Sequence, residues 1–90
     1  MATHISAIKR NRQNQQRRLR NKIIRSKMKT SIKSLLSAVE KKDKSRADEK
    51  LKLATSIISK TASKGVIHKN TAARKIARLT KKVNILQAIT

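Results

Sequence analysis

The 90-residue chain has no cysteine, no proline, no phenylalanine, tyrosine or tryptophan, and one glycine. Each absence removes a class of protein. Without cysteine there is no disulfide framework and no zinc knuckle, so a core must hold by packing alone. Without aromatics there is no base-stacking platform of the kind used by RNA-recognition and single-strand-binding folds. Without proline, and with Gly65 as the only glycine, the usual turn punctuation is nearly missing, and long helices become the default reading. Acidic residues are scarce too: 4 Asp and Glu stand against 25 Lys and Arg, for a formal net charge of +21. Such a chain repels itself when compact unless a polyanion neutralises it, which makes a stable free monomer doubtful on these grounds. No stretch approaches the roughly 20 apolar residues of a membrane span, and the N-terminus lacks a signal-peptide apolar run, so cytoplasmic placement is expected.

The remaining composition, rich in Leu, Ala, Lys, Arg and Gln, propagates helices. Ninety residues make one domain with a small core. Helical periodicity predicts three apolar stripes. The first is Ile24, Met28, Ile32, Leu35, Leu36 and Val39; the second is Ala47, Leu51, Ala54, Ile57, Ile58 and Ala62. The third, Ala72, Ile76, Leu79, Val83 and Leu86, has the four-three spacing of a bundle seam. The fold expected is therefore all-α: a three-helix bundle with a long, extended N-terminal helix. About a dozen buried aliphatic side chains at about 1.5 to 3 kcal/mol each would offset only part of the ordering cost, so marginal stability is expected. Regular aliphatic stripes read as bundle core rather than as a cofactor box.

Charge divides the chain in three. Residues 1 to 39 and residues 50 to 90 hold no acid; Glu40, Asp43, Asp48 and Glu49 sit between, balanced by Lys41, Lys42, Lys44 and Arg46. This neutral stretch predicts a helix-helix turn, with Asp43 or Ser45 as N-cap and Asp48 and Glu49 in the first turn of the next helix. Gly65 is placed to end the second helix in a left-handed conformation, with Val66 and Ile67 anchoring the turn.

Between Lys9 and Lys22 the pattern changes. On a helical wheel Arg18, Lys22, Arg12, Lys9, Arg20, Arg17 and Arg10 fall near roughly 0°, 40°, 120°, 180°, 200°, 260° and 280°. Charge on all sides excludes a membrane-surface helix, which needs an apolar face opposite its basic one. A helix polar all round is either unstable alone or surrounded by polar partners. A solvated tail is the simplest account of a charge run, but about one basic residue in two with no acid interleaved favours nucleic acid. Folded RNA threaded by the arm would bring phosphates to several sides, with Asn11, Gln13, Asn14 and Asn21 reaching sugars and bases. Arginine suits this because its planar fork binds phosphate bidentately.

A second phosphate-contacting surface is expected where Arg74, Lys75, Arg78, Lys81 and Lys82 cluster beside or opposite the third stripe, together with Lys60, Lys64, His68, Lys69 and Asn70 around the turn. His68 is read there as a hydrogen-bond donor. With two histidines and no cysteine, metal ligation by His4 or His68 is not expected. Neither is catalysis: no nucleophile, base and orienting group can be assembled, and there is no Gly-rich phosphate loop. Neither a cofactor nor a small-molecule substrate is expected.

Three segments carry a family resemblance: Arg17-Arg18-Leu19-Arg20-Asn21-Lys22, Ser63-Lys64-Gly65-Val66-Ile67-His68-Lys69-Asn70, and Ala72-Ala73-Arg74-Lys75. The chain resembles the bacterial small ribosomal subunit protein twenty family over nearly all its length, including Ser6-Ala7, Lys9-Arg10 and the acidic turn. The resemblance implies a structural constituent of the small subunit, without catalytic activity, that binds 16S rRNA directly and stabilises its fold early in assembly. It implies contact with the 5′ domain and the long penultimate RNA helix, beside other small-subunit components. It divides the single domain into an RNA-penetrating arm, residues 1–23, and a bundle, residues 24–90. The RNA-binding residues it implies are Arg10, Arg12, Arg17, Arg18, Arg20, Asn21, Lys22 and Arg25 on the arm side, with Lys64, His68, Lys69, Asn70, Arg74 and Arg78; Lys9 and Lys75 join the expected RNA-binding set from the charge pattern. The competing reading is a histone-like or nucleoid DNA-binding protein, which shares the charge but would normally need a dimer or a groove-reading element. The arm is expected to fray in isolation and to order on RNA.

Overall fold

The computed structural model describes residues 2–89, and side chains from Ser6 to Ile89. It contains three helices: α1 (Ala2–Glu40), α2 (Lys44–Ser63) and α3 (Lys69–Ala88). At about 1.5 Å per residue, α1 is about twice as long as either partner. It therefore overshoots the bundle, and the molecule measures 71 × 21 × 14 Å. α2 packs against both other helices, whereas α1 and α3 touch each other little.

The core confirms the three stripes and moves the centre of the first. Met28, Leu35, Ala47, Ala54, Ile58, Ala72, Leu79, Val83 and Leu86 are buried. Ile24, Ile32, Leu36, Val39, Leu51, Ile57, Ala62 and Ile76 are half-buried. On α1 the innermost line is Met28, Ser31, Leu35 and Ala38, all buried, so the larger Ile32, Leu36 and Val39 lie on its flank. Small Ser31 and Ala38 opposite an α2 face that buries Ala47 and Ala54 let the two helices pack closely. Ser31 and Thr61, absent from the apolar count, are buried because each hydroxyl donates to its own helix: Ser31 Oγ to the Met28 carbonyl and Thr61 Oγ1 to the Ile57 carbonyl, both at 2.7 Å. A hydroxyl satisfied in this way costs little to bury.

Both helix connections are closed by the same device. At the end of α2, Gly65 has φ +75°; its N–H donates to the Ala62 carbonyl at 2.9 Å and the Val66 N–H to the Thr61 carbonyl at 3.2 Å. This is the Schellman arrangement, in which two otherwise orphaned carbonyls are satisfied. Val66 is buried beneath it. At the end of α1 the Lys42 N–H donates to Val39 and the Asp43 N–H to Ala38, both at 3.0 Å. Here the left-handed position belongs to Lys42, φ +57°.

Asp43 is the N-cap of α2, its carboxylate accepting from the Arg46 N–H at 3.1 Å; Ser45 lies inside the helix. The cap therefore sits early, and the first turn holds no acid. Asp48 and Glu49 fall beyond it, which corrects the expectation that they complement the dipole there. The far end of the bundle is tied by Gln87, which donates to the Lys44 carbonyl at 2.8 Å, and by the Lys44 ammonium, which donates to the Ile89 carbonyl.

Candidate nucleic-acid interface

The arm is an unbroken continuation of α1. Every residue from Ser6 to Arg20 is exposed, including Lys9, Arg10, Arg12, Arg17, Arg18 and Arg20; Lys22 and Arg25 are exposed as well, and Asn21 is half-buried. No acid occurs before Glu40, so these cations have no carboxylate on their own stretch of helix. Among the described residues the one ion pair is Arg46–Asp43 at 3.9 Å, far from the arm and exposed on both sides. A pair of that kind contributes little.

One line of residues connects arm and bundle. Reading α1 backwards from Ala38, steps of three and four visit Leu35, Ser31, Met28 and Ile24, then Asn21, Arg17, Asn14 and Arg10. Each seven-residue step turns the row by only about 20° on a straight helix, so neighbouring members share a broad face. Up to Ile24 this face meets α2 and α3; above it, the same face carries amide and guanidinium groups over the end of the bundle. A cleft of about 640 Å³ lies at the changeover, bordered by Arg17, Arg20 and Asn21 from α1 and by Lys64, Gly65 and Val66 from the turn.

The structure thus divides the second surface expected around the turn and α3. Lys64 is brought to the arm. Lys75 and Arg78, with Lys81 and Lys82, instead border a groove of about 360 Å³ between α1 and α3, lined also by Ile32, Leu36, Leu79 and the exposed Ile85. Arg74 is exposed on the outer side of α3, and His68, Lys69 and Asn70 are exposed at its start. His68 is the N-cap of α3, its Nδ1 accepting from the Asn70 N–H at 3.1 Å. In the neutral ring that leaves the proton on Nε2, so the imidazole remains a donor to a partner while serving the helix with its other nitrogen. The capping role is not legible in the sequence, because histidine is not among the preferred N-caps.

Lys27 is a further cation that the sequence reading does not single out. It borders a small cleft with Ile24, Ile57, Lys60 and Lys64. The signal is available: Lys27 lies seven residues after Arg20 and so on nearly the same face. Among the described residues no group of three or more His, Cys, Asp or Glu side chains could hold a metal; the His4 side chain lies outside them. Among the same residues no helix is long and apolar enough to cross a membrane.

Fold and site together define an all-α bundle that carries a long basic extension of its first helix, exposed from Ser6 to Arg20. Comparison with known proteins specifies the class. The family description for ribosomal protein S20 matches residues 2–84. The chain is 59% identical over 88 residues to the small ribosomal subunit protein bS20 of Desulfotalea psychrophila, covering 98% of this chain and 99% of that one. It is 55% identical over 86 residues to the protein of the same name from Syntrophobacter fumaroxidans, covering 96% and 100%, and 57% identical over 84 residues to that of Syntrophus aciditrophicus, covering 93% and 94%. The chain belongs to the ribosomal protein S20 family, and is a structural ribosomal protein rather than an enzyme.

Proposed function

We propose that the protein is a structural part of the small ribosomal subunit in the bacterial cytoplasm, where it binds 16S rRNA directly and holds its folded form during assembly. The arm, residues 1–23, penetrates between RNA helices, while the bundle, residues 24–90, docks with Lys64, His68, Lys69, Asn70, Arg74, Lys75 and Arg78. In the subunit its RNA partners are the 5′ domain and the long penultimate helix, with other subunit components beside them.

One observation carries the reading: from Ser6 to Arg20 an unbroken helix has every residue exposed and no acid to balance its arginines. Such a rod gains nothing by folding back on its own bundle, because it has no apolar stripe to bury. Phosphates on several sides supply the missing counter-charge, and each one neutralised releases condensed cations, so affinity is set largely by charge and falls with salt. The absence of aromatics leaves shape and phosphate as the means of recognition, which suits a folded RNA better than a single strand.

Competition at fixed salt tests the proposal. The protein is expected to prefer folded 16S RNA over duplex DNA of equal phosphate concentration, and footprints should fall in the 5′ domain and penultimate helix. Equal binding to both would overturn the reading in favour of a nucleoid protein. Hydrogen exchange adds an independent check: amides from Arg12 to Arg20 should gain protection only in the complex. Strong protection there without RNA would contradict an arm ordered by its partner.

A further inference from the structure

The cleft at the changeover of the α1 seam is placed where a strand lying along the arm must cross the end of the bundle. Arg17 and Arg20 border it from α1, Lys64 borders it from the turn, and Asn21, the half-buried Ile24 and the buried Val66 line it with them. We propose that this cleft is a notch for one RNA phosphate, gripped simultaneously by the arm through Arg17 and Arg20 and by the bundle through Lys64. The sugar of that nucleotide lies over Asn21 and the apolar floor. The proposal rests on the RNA-binding reading above and adds that a single nucleotide joins the two parts of the molecule, fixing the arm's direction relative to the bundle.

Three features support this. The first is charge: three cations border one concavity with no acid among its lining residues, so they repel one another until an anion sits between them. A solvent-filled crease is the plainer account, but it leaves that repulsion standing. The second is the turn itself. Gly65 lines the cleft without a side chain, and a Cβ built on it would meet nothing within 4 Å. The third concerns which groups are available. The N–H groups of Gly65 and Val66 already donate to Ala62 and Thr61, so the turn offers no backbone cradle for an anion, and recognition falls to side chains. A guanidinium fork from one side and an ammonium from the other suit the tetrahedral oxygens of a phosphate.

The test is the salt slope of binding to folded 16S 5′-domain RNA, for the unsubstituted protein, Arg17→Gln, Lys64→Gln and the double variant. Both residues are exposed, and unchanged helix content and melting would show that the fold persists. The slope counts neutralised phosphates at about 0.9 each for a duplex. If the two side chains share one phosphate, each single variant lowers the slope by at most about one, and the double variant lowers it by no more than that. Its affinity should likewise lie within about threefold of the weaker single variant. Slope losses that add to about two, with multiplying affinity losses, mean separate phosphates and overturn the notch while leaving RNA binding intact. No loss of affinity from either substitution also overturns it. An unsubstituted protein with no preference for the RNA overturns the underlying reading instead, and the notch with it. Because the chain has no native cysteine, cleavage probes tethered singly at Gln13→Cys and Ser63→Cys give a geometric readout. Overlapping cuts on one strand are expected, and cuts in unrelated segments would refute the shared nucleotide.

Discussion

The two ends of α1 share one backbone, one helix and one seven-residue rhythm, yet they face opposite media. From Ile24 to Ala38 the repeating positions are filled by Ile, Met, Ser, Leu and Ala, and four of the five are buried. From Arg10 to Asn21 the same positions are filled by Arg, Asn, Arg and Asn, and only Asn21, next to the bundle, is even half-buried. Helix formation therefore does not distinguish the halves; the solvent each was built for does. The lower half is stabilised by removing apolar surface from water, an effect indifferent to salt at ordinary concentrations. The upper half has no such surface to bury, and on the proposed reading it is stabilised by the charge of its RNA partner, which salt screens. A protein arranged this way should show two stabilities that can be changed independently.

The largest effect expected comes from replacing Arg10, Arg12, Arg17, Arg18 and Arg20 together by glutamine, which keeps the helix propensity and removes the charge. With about four fewer phosphates neutralised, because Arg17 and Arg20 share one, affinity for folded 16S RNA at moderate salt should fall by roughly a hundredfold or more, and the salt slope by about three to four. Thermal melting of the bundle should stay unchanged or rise as self-repulsion falls. Binding that persists undiminished would show that the bundle alone carries recognition, and the comparison between the halves would fail.

The complementary experiment strikes the lower half. Leu35 is fully buried between helices, and Leu35→Ala removes its apolar surface and leaves a cavity, for a cost of about 2 to 5 kcal/mol. In a domain this small that is a large part of the total stability. Melting of the free protein should broaden and move down sharply, while a saturating excess of 16S RNA should restore much of the transition by mass action. A melting temperature unmoved by the substitution would mean that the helices are held by something other than the observed core.

The ease with which the two halves can be read from sequence follows from the same physics. Apolar periodicity is a long-range pattern, so the stripes around Met28, Ile58 and Val83 stand out, and an acid-free run of arginines marks the arm with equal clarity. What the pattern does not carry is anything decided by one hydrogen bond. Ser31 and Thr61 read as polar and are buried, because a hydroxyl can donate to a carbonyl of its own helix. Asp48 and Glu49 lie one turn later than expected, since Asp43 and Ser45 are equally good caps on paper and only the geometry selects Asp43. The grouping of the cations is illegible for another reason: Lys64 joins Arg17 and Arg20 only after α1 has overshot the turn, a consequence of helix lengths that no local motif states.

Gly65 is legible, and it makes a smaller prediction about the junction of the halves. Its φ of +75° is natural for glycine and unfavourable for a residue with a Cβ. Since nothing crowds that Cβ, Gly65→Ala isolates the backbone cost and should destabilise the bundle by about 1 to 2 kcal/mol in thermal or urea unfolding. No change in stability would indicate that the turn relaxes into another geometry.

Lys42 completes the series with the smallest effect and the opposite sign. It occupies in the first connection the position that Gly65 occupies in the second, with φ +57° and the same pair of carbonyl hydrogen bonds around it. A lysine there costs backbone energy that a glycine would not, although glycine also enlarges the freedom of the unfolded chain and returns part of the gain. Lys42→Gly should therefore stabilise the bundle by about 0.5 to 1 kcal/mol, read as a modest rise in melting temperature. The substitution lies at the far end of the bundle from the arm, so affinity for 16S RNA should change by no more than a single distant cation allows, with the salt slope lower by at most about one. A fall in stability would show that the Lys42 side chain contributes more to the connection than its backbone costs.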